Sequence, residues 1–185
     1  MIGRLFWLLT MACVAIAAHL VTVLYAPGFS FERSVARAGS GHTTNSFFIL
    51  KPELQGALVL SASEQDIVGL CLVDLSKGNI VFSATVPAGL WTLAVYAESG
   101  QQVYGINDLE AGALHFSVEL AKAKSVIQQL TKKPDAEDAT AIDSVGWHAE
   151  VNGKNAVAVL WVPVPDAARR GTVEAQVMGT SCAVK

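Results

Sequence analysis

The sequence predicts a mainly β protein: an N-terminal transmembrane helix, then an antiparallel β-sandwich or open barrel with two or three peripheral helices. Three observations predict it. Residues 5–25 contain no Asp, Glu, Lys or Arg. From Ser46 onward, short runs rich in β-branched and aromatic residues alternate with Gly, Pro, Asn and Ser turn signals. Only residues 118–131 and 166–177 return to a helical period. The chain divides accordingly into an anchor (1–26), a connector (27–45) and a β-rich domain (46–185).

The 21 residues of the apolar run span about 30 Å as a helix, the thickness of a bilayer hydrocarbon core. Trp7 and Tyr25 sit near its ends as interfacial aromatics, and Pro27-Gly28 predicts its stop. Two other readings compete with an uncleaved anchor. A cleaved signal peptide would use Arg4 as its charged region and cut after Ala15-Ile16-Ala17, although apolar character continues through Leu24. A lipoprotein signal would use Cys13, but Thr10-Met11-Ala12 lacks the usual leucine before it. Arg4 on one side and Glu32, Arg33 and Arg37 on the other orient the segment weakly. His19 is the one ionisable side chain at membrane depth, where a neutral imidazole can bond a neighbouring helix or reach the interface.

In the connector, residues 31–38 read as a short helix and the Gly-, Ser- and Thr-rich remainder as loop. Strands follow at 46–50, 57–61, 67–75 and 80–86. The last two are expected as a hairpin turned by Lys77, Gly78 and Asn79. Residues 90–97 alternate, with Trp91, Leu93 and Val95 on one face and Leu90, Thr92, Ala94 and Tyr96 on the other. Neither face is polar, so both are expected to be covered. The turn at 98–101 returns the chain along 102–106, and residues 114–117 form a short strand. A helix is expected over 118–131, then a solvated loop at 132–138. A final hairpin over 145–162 turns on Asn152-Gly153, the strongest hairpin signal in the chain. A C-terminal helix over 166–177 is expected to be interrupted by Gly171.

Composition narrows function. The chain is 52% hydrophobic, with a mean hydropathy of +0.42, a net charge of −3 and a pI near 5.8. No basic stripe is present, which argues against nucleic acid as a partner. Cys71 and Cys182 are the two cysteines outside the apolar run. They read as a disulfide if the domain faces an oxidising compartment, or as two buried thiols if it does not. The disulfide reading places the domain in the periplasm and the N-terminus in the cytoplasm.

An ordered set of landmarks fills the central stretch: Cys71, Asp74-Leu75, Gly78, Trp91, Tyr96, Gly100, Tyr104 and Asn107-Asp108. This pattern, about 45 residues long, resembles the bacterial envelope family of domain-of-unknown-function number twelve-fifty-four, often found beside a related twelve-fourteen domain. The resemblance implies a small membrane-anchored protein with one N-terminal helix, a single β-rich domain and no established reaction. Leu109 departs from the pattern, since many relatives carry Arg there.

The candidate ligand-binding residues are Trp91, Tyr96, Tyr104, Asn107 and Asp108. Aromatics with an amide and a carboxylate at a strand end can line a pocket for a small ligand or sugar. Equally, Trp and Tyr anchor sheets, and Asn-Asp bonds its own backbone in turns. His42, His115 and His148 have no metal-ligand spacing, so no metal or cofactor is expected. No Gly-x-Ser-x-Gly, Walker or dinucleotide fingerprint is present, and no catalytic residue is assigned. The function expected is therefore a single-pass inner-membrane protein with a periplasmic domain. Its role would be a binding or accessory subunit of a membrane complex, touching the lipid bilayer through residues 5–25 and a membrane-protein partner or a second copy. The rival is a periplasmic small-ligand binder or enzyme using the five-residue cluster.

Overall fold

In a computed structural model, which describes residues 2–123 and 146–185, the domain is two β-sheets facing each other across one core. The first sheet runs β1 (Phe47–Ile49), β2 (Ile67–Asp74), β8 (Asn155–Val162), β4 (Thr92–Ala97) and β5 (Gln102–Asn107), antiparallel throughout. The second runs β7 (Gly146–Val151), β6 (His115–Lys122), β3 (Ile80–Thr85) and β9 (Ser181–Val184), with β6 and β7 parallel.

Alternation explains which side chains meet. Leu93 and Val95 of β4 and Ala158 and Leu160 of β8 point inward, against Phe82 of β3 and Phe116, Val118 and Leu120 of β6. β2 and β8 are apolar on both faces because both faces are covered. Their outer face, with Val68, Leu70, Val157 and Val159, packs beneath Phe31, Val35 and Ala38 of the N-terminal helix and beneath Leu58, Val59 and Ala62. Gly69 is required where β1 crosses, since a Cβ there would collide with the Phe47 ring.

The helix α1 runs from Ile2 to Ala38, straight through Pro27-Gly28. The expected stop is overridden by packing: the last turns of α1 lie on the sheet, and Gly28 passes close to the Ser99 carbonyl. Residues 31–38, expected as a separate short helix, are the end of this one. An 18-residue window within 3–38 has a mean hydropathy of 2.1 and none of it buried against the domain. By length and composition, α1 can cross a membrane.

Other expectations change. Residues 57–61 form turns after the short helix α2 (Pro52–Gln55), not a strand. Residues 118–122 continue β6 instead of opening a helix. The inward alternation of Phe116, Val118 and Leu120 outweighs the helical period, and the remainder of that expected helix lies outside the described residues, as does the 132–138 loop. The two expected hairpins, β2–β3 and β7–β8, are not hairpins. Each turn carries the chain from one sheet to the other. The first is a 3-10 turn capped by Asp74, whose carboxylate accepts from the Ser76 N–H at 2.9 Å, followed by Gly78 at φ +134°. The second has Gly153 at φ +116°. The expected β4–β5 hairpin forms, with Gly100 at φ +80°. Helix α3 (Asp108–Ala111) follows β5. Helix α4 (Arg170–Val177) runs through Gly171, since a glycine on its exposed side weakens a helix without breaking it.

Cys71 of β2 and Cys182 of β9 form a disulfide across the core, 6.4 Å between Cα atoms. Cys13 is the free, exposed cysteine.

Candidate functional site

The five residues singled out in the sequence take separate places. Trp91 is buried at 1% exposure, stacked on Phe116 with ring centroids 4.5 Å apart and planes 1° from parallel. Tyr96 points the other way, to the outer face of the first sheet, where its ring lies 5.2 Å from that of Phe31. Tyr104 packs at the rim of the core, where burial, and then the Glu110 carboxylate, push its phenol above its usual pKa. Asn107 caps α3, its side-chain oxygen accepting from the N–H groups of Leu109 at 3.0 Å and Glu110 at 3.1 Å. Asp108 is the first residue of that helix, its N–H donating to the Trp91 carbonyl at 3.3 Å. Asn107 and Asp108 are together at a helix start, and none of the five lines the cleft at the end of the sandwich or the two grooves beside α1.

A cavity lies elsewhere, at the end of the sandwich where β2 begins and β8 ends. It encloses about 520 Å³ between Pro87, Leu90, Pro163, Val164, Asp166 and Arg169. That volume is within the range of small-molecule sites. Three prolines, at 87, 163 and 165, set rigid walls.

Asp66 lies at the back of this cleft, 6% exposed, and both of its carboxylate oxygens are engaged. Oδ2 accepts from the Ser63 N–H at 2.9 Å and from Trp161 Nε1 at 3.0 Å. Oδ1 accepts from Ser63 Oγ at 2.9 Å and from the Val164 N–H at 3.2 Å. Burial pushes this carboxyl up, but the four hydrogen bonds together outweigh it and hold the pKa below the usual carboxylate value. A carboxylate so occupied is a poor base or nucleophile. It is a clamp that joins the start of β2 to the end of β8. Sequence reasoning passed over it, the only signal being an acid directly before an apolar strand.

Asp66→Ala is expected to destabilise the domain by about 2–4 kcal/mol, because it leaves the buried Val164 N–H, the half-buried Trp161 indole N–H and the Ser63 N–H without their acceptor. The pH dependence follows from the depressed pKa. The stabilisation is fully present above the unfolded-state value, about 3.9, and fades as pH falls through the lower folded value. Thermal unfolding of wild type and Asp66→Asn should therefore differ clearly at neutral pH and converge in acid. A gap that stays constant down to pH about 2 would assign the effect to packing.

The histidines remain apart. His42 stacks on Phe48 with centroids 3.7 Å apart, and His115 Nδ1 pairs with Thr85 Oγ1 at 3.0 Å. His148 lies beside Glu119 across the β6–β7 pairing. Hydrogen bonds from Lys185 at 2.8 Å, and then from Asn79 at 2.7 Å, hold the Glu119 carboxyl below the usual range. Among the described residues no three His, Cys, Asp or Glu side chains converge as a metal site.

No family model matches the chain, and no curated protein matches it. Two crystal structures match parts of this chain. One is the VPA0106 protein from Vibrio parahaemolyticus, with a TM-score of 0.59, 9% identity and 88% of this chain covered. The other is an uncharacterised protein from Burkholderia cenocepacia, with a TM-score of 0.43, 10% identity and 74% of this chain covered. The match takes in 36% of each of those chains, so this chain spans little more than a third of their length. The likeness to the Vibrio protein is one of fold alone.

Proposed function

We propose that this chain is a single-pass protein of the bacterial inner membrane, N-terminus in the cytoplasm and β-sandwich in the periplasm. Its role would be a binding or accessory subunit of a membrane complex, as the resemblance to the twelve-fifty-four envelope family implies. The observation that carries the reading is the double character of α1. Residues 5–25 are apolar and exposed, whereas Phe31, Val35 and Ala38 are fastened to the domain. The Cys71–Cys182 disulfide supports an oxidising compartment.

The rival, a ligand binder or enzyme working through Trp91, Tyr96, Tyr104, Asn107 and Asp108, needs those side chains to converge, and they are spread over the core, an outer face and a helix cap. The support for a ligand role comes instead from the 520 Å³ cleft.

The anchor is tested by alkaline carbonate extraction and intact mass. The chain should stay with the membrane pellet at full mass. Loss of roughly the first 17 residues would overturn the anchor. The accessory role is tested by mild detergent extraction and size-exclusion chromatography. The chain should elute in a defined complex, and a lone chain in its micelle would overturn that role.

A further inference from the structure

The docking of α1 orients the sandwich relative to the bilayer. Along the helix, Gly28 meets the Ser99 carbonyl in the β4–β5 turn, Phe31 packs on Tyr96 of β4, and Gly39, just past the helix end, abuts Leu72 of β2. Tyr96, Val157 and Leu72 are successive cross-strand partners on β4, β8 and β2. The contacts therefore climb from strand to strand. From residue 31 to 39 the chain rises about 12 Å, against about 10 Å for the two strand spacings from β4 to β2. The helix crosses the sheet steeply instead of running along its strands, and the order outward from the apolar segment is β5, β4, β8, β2, β1.

Heights follow. If the hydrocarbon ends near Tyr25, Phe31 and the β4 it touches lie about 9 Å beyond it. β5 lies one strand nearer, about 4 Å beyond, inside a headgroup layer about 5–7 Å thick. β1 lies four strands farther out, at about 23 Å.

Resting on the anchor reading above, we propose that the outer edge of β5, unpaired among the described residues, lies in the headgroup layer of the leaflet from which α1 emerges, so that the sandwich stands on this edge with β1 farthest from the membrane. The side chains at this rim suit that place. Tyr104 is an amphipathic aromatic of the kind found at membrane interfaces, and Leu109 of α3, next to β5, is 88% exposed. Among the described residues no strand pairs with the outer edge of β5, and headgroups and their water can satisfy backbone groups on such an edge. Asp108 and Glu110 of α3 follow β5 at this rim. They match ammonium-bearing headgroups, such as those of phosphatidylethanolamine, better than net-anionic lipid.

The test uses the full chain in vesicles of phosphatidylethanolamine and phosphatidylglycerol. Cys13→Ser is the background, the disulfide is kept, and a single fluorophore is placed through Gln102→Cys, Leu109→Cys, Glu53→Cys or Leu20→Cys. Lipids carrying a nitroxide on the headgroup or along the acyl chain act as quenchers. Headgroup quenching at positions 102 and 109 is expected to exceed that at position 53, beside β1, by about twofold or more, given the height difference. Acyl-chain quenching is expected at position 20. Equal, weak headgroup quenching at 102, 109 and 53 with strong acyl-chain quenching at 20 would overturn the edge contact and leave the anchor standing. No acyl-chain quenching at 20 would overturn the anchor, and this inference with it.

Discussion

Removing the Cys71–Cys182 disulfide, by Cys71→Ala with Cys182→Ala, should lower the stability of the domain by about 3–5 kcal/mol. The bond closes a loop with a sequence separation of 111, nearly the whole domain. In the chain-entropy account a loop of that size is worth close to 5 kcal/mol, and native-state relaxation reduces the figure. At the size of this domain that corresponds to a fall in Tm of about 8–15 °C. The bond also acts locally. β9 has four residues and among the described residues pairs with β3 alone, so without its tether to β2 the C-terminal strand should open before the rest. Thermal unfolding in detergent measures the first effect. Hydrogen exchange at the backbone amides of residues 183 and 185, which face β3 in the pairing that has the Lys185 N–H donating to the Asn79 carbonyl, measures the second. A Tm shift under about 2 °C would mean that the bond constrains little of the unfolded chain. Alkylation of the untreated protein should label one thiol per chain, Cys13.

The sequence made the element types legible more readily than their partners. Nearly every strand from β1 to β8 sits where a β-branched run with turn signals stands, because alternation is a local property. Pairing is not local. Lys77-Gly78-Asn79 and Asn152-Gly153 supply real turns, with Gly78 and Gly153 at positive φ, yet each turn bridges two sheets. Whether a tight turn makes a hairpin or an arch depends on which face of the next strand meets the core. Asn-Gly chemistry does not encode that. The same limit applies to α1. Pro27-Gly28 is a local stop signal, and the packing of Phe31, Val35 and Ala38 on a sheet formed far downstream overrides it. β9 was missed as a strand because four residues in a polar tail carry no period, although Cys182 pointed to a tether. The cleft was illegible for a related reason. Its walls come from residues 63–66, 87–90 and 163–173, three segments that are unremarkable alone.

Trp91 separates a core role from a ligand role most sharply, and Trp91→Ala should cost about 3–5 kcal/mol. The ring is buried at 1% exposure, stacked flat on Phe116, and sits within the central cluster beside Leu93 and Phe82. Truncation removes both the transferred apolar area and the stacking partner, and leaves a cavity that neighbours on two hydrogen-bonded sheets cannot collapse to fill. Trp91→Phe keeps a ring over Phe116 and should cost less than half as much. The adjacent Leu90 is 54% exposed at the cleft, so Leu90→Ala should change stability by no more than about 0.5 kcal/mol. Thermal or denaturant unfolding of the three variants provides the comparison. If Trp91 lined a working site instead, Trp91→Ala would leave stability close to wild type and Leu90→Ala would match it. That outcome would return the aromatic cluster to consideration as a site. The expected order, Trp91→Ala well below Trp91→Phe and Leu90→Ala near wild type, assigns the tryptophan to the core.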